Sequence, residues 1–304
     1  MRQYPGYGCA QYRRKRLFLA GTSLVPMPRH LSAPSLAQEG ESVTGASALE
    51  PLPDATDPAF KPARAGALLV FPTPVSYSMA WELQLRLHHE RLSGMRPDTV
   101  VILEHQPVYT LGRSTQVSDW GGDEALLCAN GTALHRVNRG GSATYHGPGQ
   151  IVVYPILRLA QHAAGPRRLV WLFEDVIIRL LKHWGINGHR IEKKPGIWVL
   201  TPQPAKIASI GIRIERGITL HGFALNVDMD LEPFQHIHPC GFADCLVSSI
   251  NTLCGKTIPL DEVKYDLAGI ISQVFSIEWT TVAEHPGSRL TAADEFARIN
   301  RFNL

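Results

Sequence analysis

Residues 206–227 read KIASIGIRIERGITLHGFALNV, and this stretch is the most informative about the fold. Its two halves, 206–214 and 217–227, are apolar and rich in β-branched residues, as is typical of strands in a buried sheet. The dipeptide Arg216-Gly217 between them suits a tight turn, because glycine adopts backbone conformations that other residues avoid. The stretch therefore predicts two consecutive strands joined as a β-hairpin.

Periodic segments on both sides of this hairpin predict the rest of the domain. Apolar, β-rich runs predict further strands at 67–71, 99–103, 150–157 and 196–201. Apolar residues at helical spacing predict helices at 77–93, 167–184 and 260–275. The strands follow one another through short breaks and form no regular β-α-β repeat. The sequence therefore predicts an α+β domain in which helices flank a mixed β-sheet.

The two ends of the chain differ from this periodic part. Residues 1–65 lack a hydrophobic period and are rich in Pro, Ser, Ala and Gly, which predicts an extension outside the core. A basic cluster at 13–16 precedes the first acidic residue, Glu39, as in organelle transit peptides; a disordered tail is an equal alternative. The folded domain is predicted to span 66–280, with a C-terminal tail at 281–304.

Composition excludes several classes of protein. The hydrophobic content of 44% and charged content of 19% are typical of a globular domain. The net charge of +3 is small and the body of the chain has no block of like charge, so no nucleic-acid partner is expected. No apolar run approaches the roughly 20 residues that cross a bilayer, so no membrane association is expected either.

The five cysteines are the next feature. Their odd number and irregular spacing argue against a disulfide framework, and no CxxC pair indicates a zinc site, so no metal is expected. Cys240 lies between Pro239 and Gly241, which favours a turn that presents its thiol. Cys128, on a predicted helix, is interpreted as a core residue, and Cys245 and Cys254, beside apolar residues, as structural ones.

Two further segments break the rules for ordinary core or surface. The glycine-rich segment, residues 139–150 (RGGSATYHGPGQ), has four glycines and one proline in twelve residues. Such a backbone adopts unusual torsions or comes close to another group, although a plain surface loop fits the composition equally well. Lys206 opens an apolar strand. A lysine there usually extends its ammonium into water, but one held in a pocket would contribute its charge.

A cysteine nucleophile requires a group that stabilises the thiolate, since an unperturbed thiol titrates near about 8.5. A nearby ammonium does this, and a histidine does the same or acts as a base. The sequence offers both kinds of partner, and their spacing does not choose among them. The candidates are Lys206, His146, His221, His236 and His238.

Five segments then match a known family in their order along the chain. They are EHQPVYTLGR (104–113), RGGSATYHGPGQ (139–150), KIASIGIRI (206–214), HGFALNV (221–227) and PCG (239–241). The chain resembles lipoate-protein ligase B, also called octanoyltransferase or lipoyl(octanoyl) transferase, from about residue 68 to 276. The resemblance implies the fold shared by biotin and lipoate ligases.

The resemblance also implies a reaction. An octanoyl (or lipoyl) group passes from acyl carrier protein to a lysine of a lipoyl domain, without ATP or another cofactor. The acceptors would be lipoyl domains of 2-oxoacid dehydrogenase complexes or the glycine cleavage H protein. By match to the motifs, Cys240 carries the acyl group as a thioester and Lys206 lowers its pKa. The positions that match substrate-binding segments are Arg139, Gly140, Gly141, Ser142, Ala143, Thr144, Tyr145, His146, Ser209, Ile210, Gly211, Gly222, Phe223 and Ala224.

Some alternatives stay open at this point. In the second half of the reaction either Lys206 or His146 could accept the proton of the attacking amine. The chain could instead be an ATP-dependent lipoate or biotin ligase of the same fold, or a non-catalytic module that binds lipoyl domains. The expected location is the cytoplasm, or the matrix of a mitochondrion or plastid if residues 1–65 are a transit peptide.

Overall fold

The computed structural model describes residues 64–241 and 245–283. The expected N-terminal extension lies outside these residues, except that Arg64 and Ala65 already belong to the first strand. Most of the expected C-terminal tail, from residue 284 onward, lies outside them too. Within the described part, no helix combines the length and apolar character that a membrane span requires.

The strands and helices of the described part are numbered in chain order. The strands are β1 (Arg64–Val70), β2 (Asp98–Leu103), β3 (Val108–Leu111), β4 (Ala133–Arg136), β5 (Ala143–His146), β6 (Gln150–Ile156), β7 (Gly188–Ile191), β8 (Lys194–Leu200), β9 (Pro204–Glu215), β10 (Ile218–Asn226), β11 (Leu246–Val247) and β12 (Ile277–Ala283). The α-helices are α1 (Tyr77–Leu92), α2 (Glu124–Leu127), α3 (Pro166–His183), α4 (Ile250–Cys254) and α5 (Leu260–Phe275).

The larger sheet has the strand order β12-β1-β2-β6-β10-β9-β8-β7, and β11 adds to β9. β1 runs parallel to both β12 and β2, and β11 runs parallel to β9, whereas the other neighbours are antiparallel. The predicted mixed sheet of an α+β domain is therefore confirmed. The hairpin predicted from residues 206–227 is β9–β10, and its turn contains Arg216 (φ 51°) and Gly217 (φ 80°).

Helices cover the two faces of this sheet. On one face α3 and α5 bury their apolar stripes, and the expected α3 stripe from Leu169 to Leu180 lies in that core. On the other face α1 packs Ala80, Leu83 and Leu87 against β6 and β10. The side chain of Ser76 begins α1 by accepting a hydrogen bond from the Met79 N–H. The predicted helices agree with the structure to within one residue at each end.

A second, three-stranded sheet has the order β4-β3-β5 and was not predicted. It packs its own apolar cluster, which includes Tyr109, Trp120, Tyr145 and Phe234. Its strand β5 lies inside the glycine-rich segment, so that segment is not a plain surface loop. β12 was also missed: it extends through Ala283 and so enters the expected tail at 281–304.

A buried ion pair links α5 to Glu104 and, through it, to Gly149 of the glycine-rich segment. The Lys264 ammonium donates to one carboxylate oxygen of Glu104 at 2.9 Å, and the other oxygen accepts the Gly149 N–H at 2.9 Å. Lys264 is 4% exposed and Glu104 9%. Removing one member of such a pair leaves an uncompensated charge in the interior, which is strongly destabilising.

We expect Lys264→Met to lower the free energy of unfolding by about 3 kcal/mol, because Glu104 would remain buried without its cation. Urea denaturation at pH 7 measures this. The control is Lys256→Met, an exposed lysine on a nearby loop, which should change stability by less than about 0.5 kcal/mol. Equal effects of the two substitutions would contradict the role given to the ion pair.

Candidate active site

Cys240 lies in a single 3-10 turn formed by Pro239–Gly241, called the cysteine turn below. The Gly241 N–H donates to the His238 carbonyl at 3.0 Å, and Gly241 has the left-handed φ of 74°. The backbone therefore turns sharply at the cysteine, as the flanking proline and glycine predict. The side chain of Cys240 and residues 242–244 lie outside the described part.

The chain that leaves the cysteine turn returns to the strand of Lys206. β11 pairs with β9 so that Val247 lies opposite Lys206, and the Ser248 N–H donates to the Lys206 carbonyl at 2.9 Å. The backbone hydrogen bonds thus join the strand of Lys206 to residues 246–248, which follow Cys240 by six to eight positions in sequence.

The side chain of Lys206 is buried, at 2% exposure. Its ammonium donates to the Pro195 carbonyl at 2.9 Å and lies 5.5 Å from the centre of the Trp198 ring. Gly196 (φ 111°) leaves room for it, since a Cβ there would lie 2.8 Å from the lysine Cε. The usual expectation, a lysine whose head lies in water, is wrong here.

Asp119 connects the cysteine turn to the glycine-rich segment. Its buried carboxylate accepts hydrogen bonds from the Ser142 hydroxyl and, at 2.8 Å, from the Gln116 N–H. Its carbonyl accepts the His238 N–H at 2.7 Å. Asp119 was not predicted as a site residue, because an aspartate in a short polar stretch carries no periodic or motif signal.

The first part of the glycine-rich segment lies against β9. The Gly140 N–H donates to the Ile212 carbonyl at 3.0 Å, and the Arg139 guanidinium donates to the carbonyl and hydroxyl of Thr110, each at 2.8 Å. At Gly211 a Cβ would lie 2.8 Å from the Gly140 carbonyl oxygen. Glycine is therefore required at 211 by the close approach of two backbones.

Between the glycine-rich segment and the hairpin lies a cavity of about 490 Å³, which includes the part open to solvent; it is called the central cavity. Twelve of the fourteen positions expected to bind substrate line it, and the exceptions are Gly140 and Tyr145. Tyr145 points away, where its ring packs against Tyr109 and Phe234. The cavity has four more lining residues: Tyr77, Val152, Tyr154 and His221.

The polar side chains around the central cavity are hydrogen bonded to one another. His146 Nδ1 donates to the Gln150 amide oxygen at 2.7 Å, and the Gln150 amide nitrogen donates to Asn226 at 2.9 Å. The Tyr154 hydroxyl donates to His105 Nε2 at 2.6 Å. Because these polar atoms are satisfied within the wall, the cavity can present carbon surface to a ligand.

A second set of hydrogen bonds holds one end of the cavity in place. This end lies farther from Lys206 along β9 than the other. His221 Nε2 donates to the Asn138 side-chain oxygen at 2.7 Å, and its Nδ1 lies 3.5 Å from the Tyr77 hydroxyl. These assignments give the His221 imidazole one donor and one acceptor nitrogen, as a neutral ring requires.

Burial keeps the histidines of this wall uncharged at neutral pH. It lowers the pKa of His105 to about 4 and holds the pKa of His146 well below its usual value. For His221, burial first and then the charges of Arg139 and Arg213 lower the pKa to about 3. The central cavity is consequently lined by neutral rings, which suits an apolar ligand.

Other residues singled out from the sequence lie elsewhere. His236 is exposed and pairs with Glu232 on the surface. Cys128 caps the four-residue helix α2 and is half-exposed, so its interpretation as a core residue is wrong. Cys245 and Cys254 are half-exposed too, and Cys254 packs against the main core.

We expect acid to destabilise the domain through these buried histidines. Their folded pKa values lie below the unfolded value near about 6.5, so the unfolded state binds protons first and stability is lost as pH falls from about 6.5 toward 4. Each buried imidazole contributes a slope of up to about 1.4 kcal/mol per pH unit. Denaturant unfolding at several pH values measures the slope.

The variant His105→Gln should reduce this slope by up to about 1.4 kcal/mol per pH unit. The control His189→Gln, at an exposed position, should leave the slope unchanged. A stability that is flat between pH 6.5 and 4.5 would contradict neutral burial of the histidines.

Comparison with known proteins places these features in context. The octanoyltransferase of Chloroflexus aggregans is 41% identical over 204 residues, which cover 67% of this chain and 92% of the relative. That of Caldicellulosiruptor saccharolyticus is 41% identical over 212 residues, covering 69% of this chain and 89% of the relative. The octanoyltransferase of Pelobacter propionicus is 37% identical over 209 residues, covering 69% and 95%.

A solved structure of a bipartite lipoate protein ligase from Thermoplasma acidophilum has the same fold, with a TM-score of 0.54 at 15% identity over 78% of this chain and 91% of that one. The expected lipoate ligase fold is thereby confirmed. The lipoyl protein ligase A/B catalytic domain matches residues 76–271, which contain the glycine-rich segment, Lys206 and the cysteine turn. The chain belongs to the family of lipoyl protein ligase A/B catalytic domains.

Proposed function

We propose that this chain transfers an octanoyl group from acyl carrier protein to a lysine of a lipoyl domain, through a thioester on Cys240. The octanoyltransferase relatives support the class of reaction. The observation that carries the mechanism is the buried ammonium of Lys206 on a strand that is hydrogen bonded to the chain leaving the cysteine turn. The acceptors are lipoyl domains of 2-oxoacid dehydrogenase complexes or the glycine cleavage H protein.

In the first half-reaction the Cys240 thiolate attacks the thioester carbonyl of the carrier's pantetheine arm. The new bond joins the Cys240 sulfur to the acyl carbon, and the carrier sulfur leaves. The Lys206 ammonium stabilises the Cys240 thiolate before the attack and gives its proton to the departing thiolate. Backbone N–H groups of the glycine-rich segment stabilise the oxyanion.

In the second half-reaction the lysine amine of the lipoyl domain attacks the same carbonyl. An amide bond forms, Cys240 leaves as a thiolate, and the proton of the amine passes to Lys206, which was left neutral by the first half. His146 is the weaker candidate for this proton because burial holds its pKa well below its usual value. The cycle ends with the original thiolate and ammonium.

The energetics of this course require no nucleotide. Exchange between two thioesters is nearly neutral in free energy, and formation of the amide is favourable. The central cavity binds the alkyl chain, for which burial contributes about 0.8 kcal/mol per methylene group. The imidazoles in its wall are neutral, which allows this, since a charged imidazole would oppose an apolar ligand. The Arg139 guanidinium, also in the wall, is hydrogen bonded to Thr110.

An ATP-dependent lipoate ligase is the second candidate, because one solved structure of this fold is a lipoate-protein ligase A bound with ATP, at a TM-score of 0.51 and 14% identity. A ligase would acylate a lipoyl domain from free acid plus ATP, whereas the proposed transferase requires the thioester donor alone. A module that only binds lipoyl domains would acylate nothing.

The proposed location of the reaction is the cytoplasm, or an organelle matrix if residues 1–65 act as a transit peptide.

We expect the intact mass of the protein to rise by one octanoyl group after incubation with octanoyl-acyl carrier protein, and hydroxylamine to remove it, because thioesters are labile to this nucleophile. Cys240→Ala should gain nothing, while Cys245→Ala, a half-exposed cysteine close by in sequence, should behave as the wild type. An adduct on Cys240→Ala that hydroxylamine removes would reject Cys240 as the acyl carrier.

We expect Lys206→Met to slow transfer at least about 100-fold, since a positioned proton donor and acceptor contributes about that much or more. Alkylation of Cys240 by iodoacetamide should shift to higher pH, toward the ordinary thiol value of about 8.5. The matched control is Lys194→Met, which removes an ammonium 5.6 Å from the same Trp198 ring. If both variants keep the wild-type alkylation profile, Lys206 does not activate the thiol.

A further inference from the structure

A second cavity lies beyond the far end of the central cavity. This outer cleft encloses about 1230 Å³, including the part open to solvent. Its lining includes Trp81, Glu82, Thr115, Arg136 and Asn138. Tyr77 lines the central cavity and the outer cleft, so the two spaces are separated there by a single side chain.

His221 completes the partition between them. Its imidazole lines the central cavity on one side. On the other side Trp81, which lines the outer cleft, stacks on it with ring centres 5.0 Å apart and planes 11° from parallel. Asn138, also in the outer cleft, binds its Nε2 at 2.7 Å. Tyr77, Trp81 and His221 are called the end wall below.

The end wall is held firmly by the backbone. His221 has a φ of 58°, in the left-handed region that a residue with a side chain adopts only at a cost. Its N–H donates to the side-chain oxygen of Gln84, a fully buried residue of α1, at 2.8 Å. Its β10 position lies opposite Ile212 of β9. Strain that the surroundings maintain indicates that the imidazole is needed where it is.

The position of the end wall fits the path of an acyl chain. On β9 the cavity begins at Ser209, three residues after Lys206, and ends beside Ile212, which pairs with His221. Ile212 follows Ser209 by three residues of strand, a length of about 10 Å, which is close to that of an extended eight-carbon acyl chain. A thioester formed at the lysine end would therefore direct its alkyl chain along the strand toward the end wall.

We propose that Tyr77, Trp81 and His221 are the specificity-determining residues that stop the acyl chain and limit it to medium length. This inference rests on the proposed octanoyl transfer. A longer chain has to displace the His221 imidazole, which breaks its bonds to Asn138 and Tyr77 and leaves buried polar atoms unpaired. An opened wall would instead let the extra methylene groups enter the outer cleft.

The test uses the full chain and pantetheine thioesters of eight, twelve and sixteen carbons, and measures the rate at which each acyl adduct appears by intact mass. His221→Gly removes the imidazole and places at that position the residue that best tolerates its φ. Trp81→Ala removes the outer support and leaves the backbone of β10 untouched, so it remains informative if the first variant does not fold. Circular dichroism establishes that each variant is folded.

The expected wild-type rate with twelve carbons is at least about tenfold below that with eight, since discrimination by a closed apolar pocket is of this order. Each end-wall variant should raise the ratio of the twelve-carbon to the eight-carbon rate at least about tenfold. The control, Val152→Ala, widens the central cavity without touching the end wall and should keep the wild-type ratio.

The proposed function and the proposed role of the end wall can be rejected separately. If the wild type forms no adduct with any thioester, the proposed function itself is rejected. If the wild type forms the eight-carbon adduct and folded end-wall variants keep its chain-length ratio, the end wall is not the stop. An equal rise in the ratio for Val152→Ala would assign selectivity to cavity width and overturn the proposal as well.

Discussion

The glycine-rich segment and the β9–β10 hairpin approach each other closely, and the geometry of the site follows from this contact. The backbone hydrogen bond from Gly140 to Ile212 joins the two segments beside Gly211 and Gly222, which have no side chains. A Cβ at Gly222 would collide with the Val153 carbonyl, and one at Gly211 would separate the two backbones. The central cavity lies where Gly211 and Gly222 leave the sheet without side chains, and the glycine-rich segment covers it.

The same architecture reconciles polar residues with an apolar ligand. Tyrosine, histidine, glutamine and asparagine side chains surround the cavity, yet each hydrogen bond described for them ends within the wall. Removal of these rings from water favours the uncharged imidazole. Polar residues here give the wall a fixed shape, which an all-aliphatic lining, free to repack, would hold less firmly. The proposed limit on acyl-chain length requires such stiffness.

The sequence separation between interacting residues determines how much of the fold and of the site could be predicted. α3 and the strands of the central hairpin carry their own apolar period over nine or more residues, so local pattern was enough to find them. β3, β4 and β5 have four residues each and are stabilised by partners distant in sequence, which no local pattern reports. The glycines of 139–150 signalled close approach, but not what they approach. Asp119 and Tyr77 become visible only when the chain is folded, because their contacts are with residues far along the sequence.

The arrangement of the outermost strands has a consequence for the order in which the domain can be completed. β1, the first strand described, lies between β2 and β12, the last. Its partner on one side comes within about 30 residues, whereas the other, which begins at Ile277, must be synthesised more than 200 residues later. Closing so long a loop is entropically costly, though the cost grows only slowly with length. On a ribosome, β1 would therefore keep one edge unpaired until nearly the whole domain had emerged, and exposed strand edges of this kind favour association with other chains.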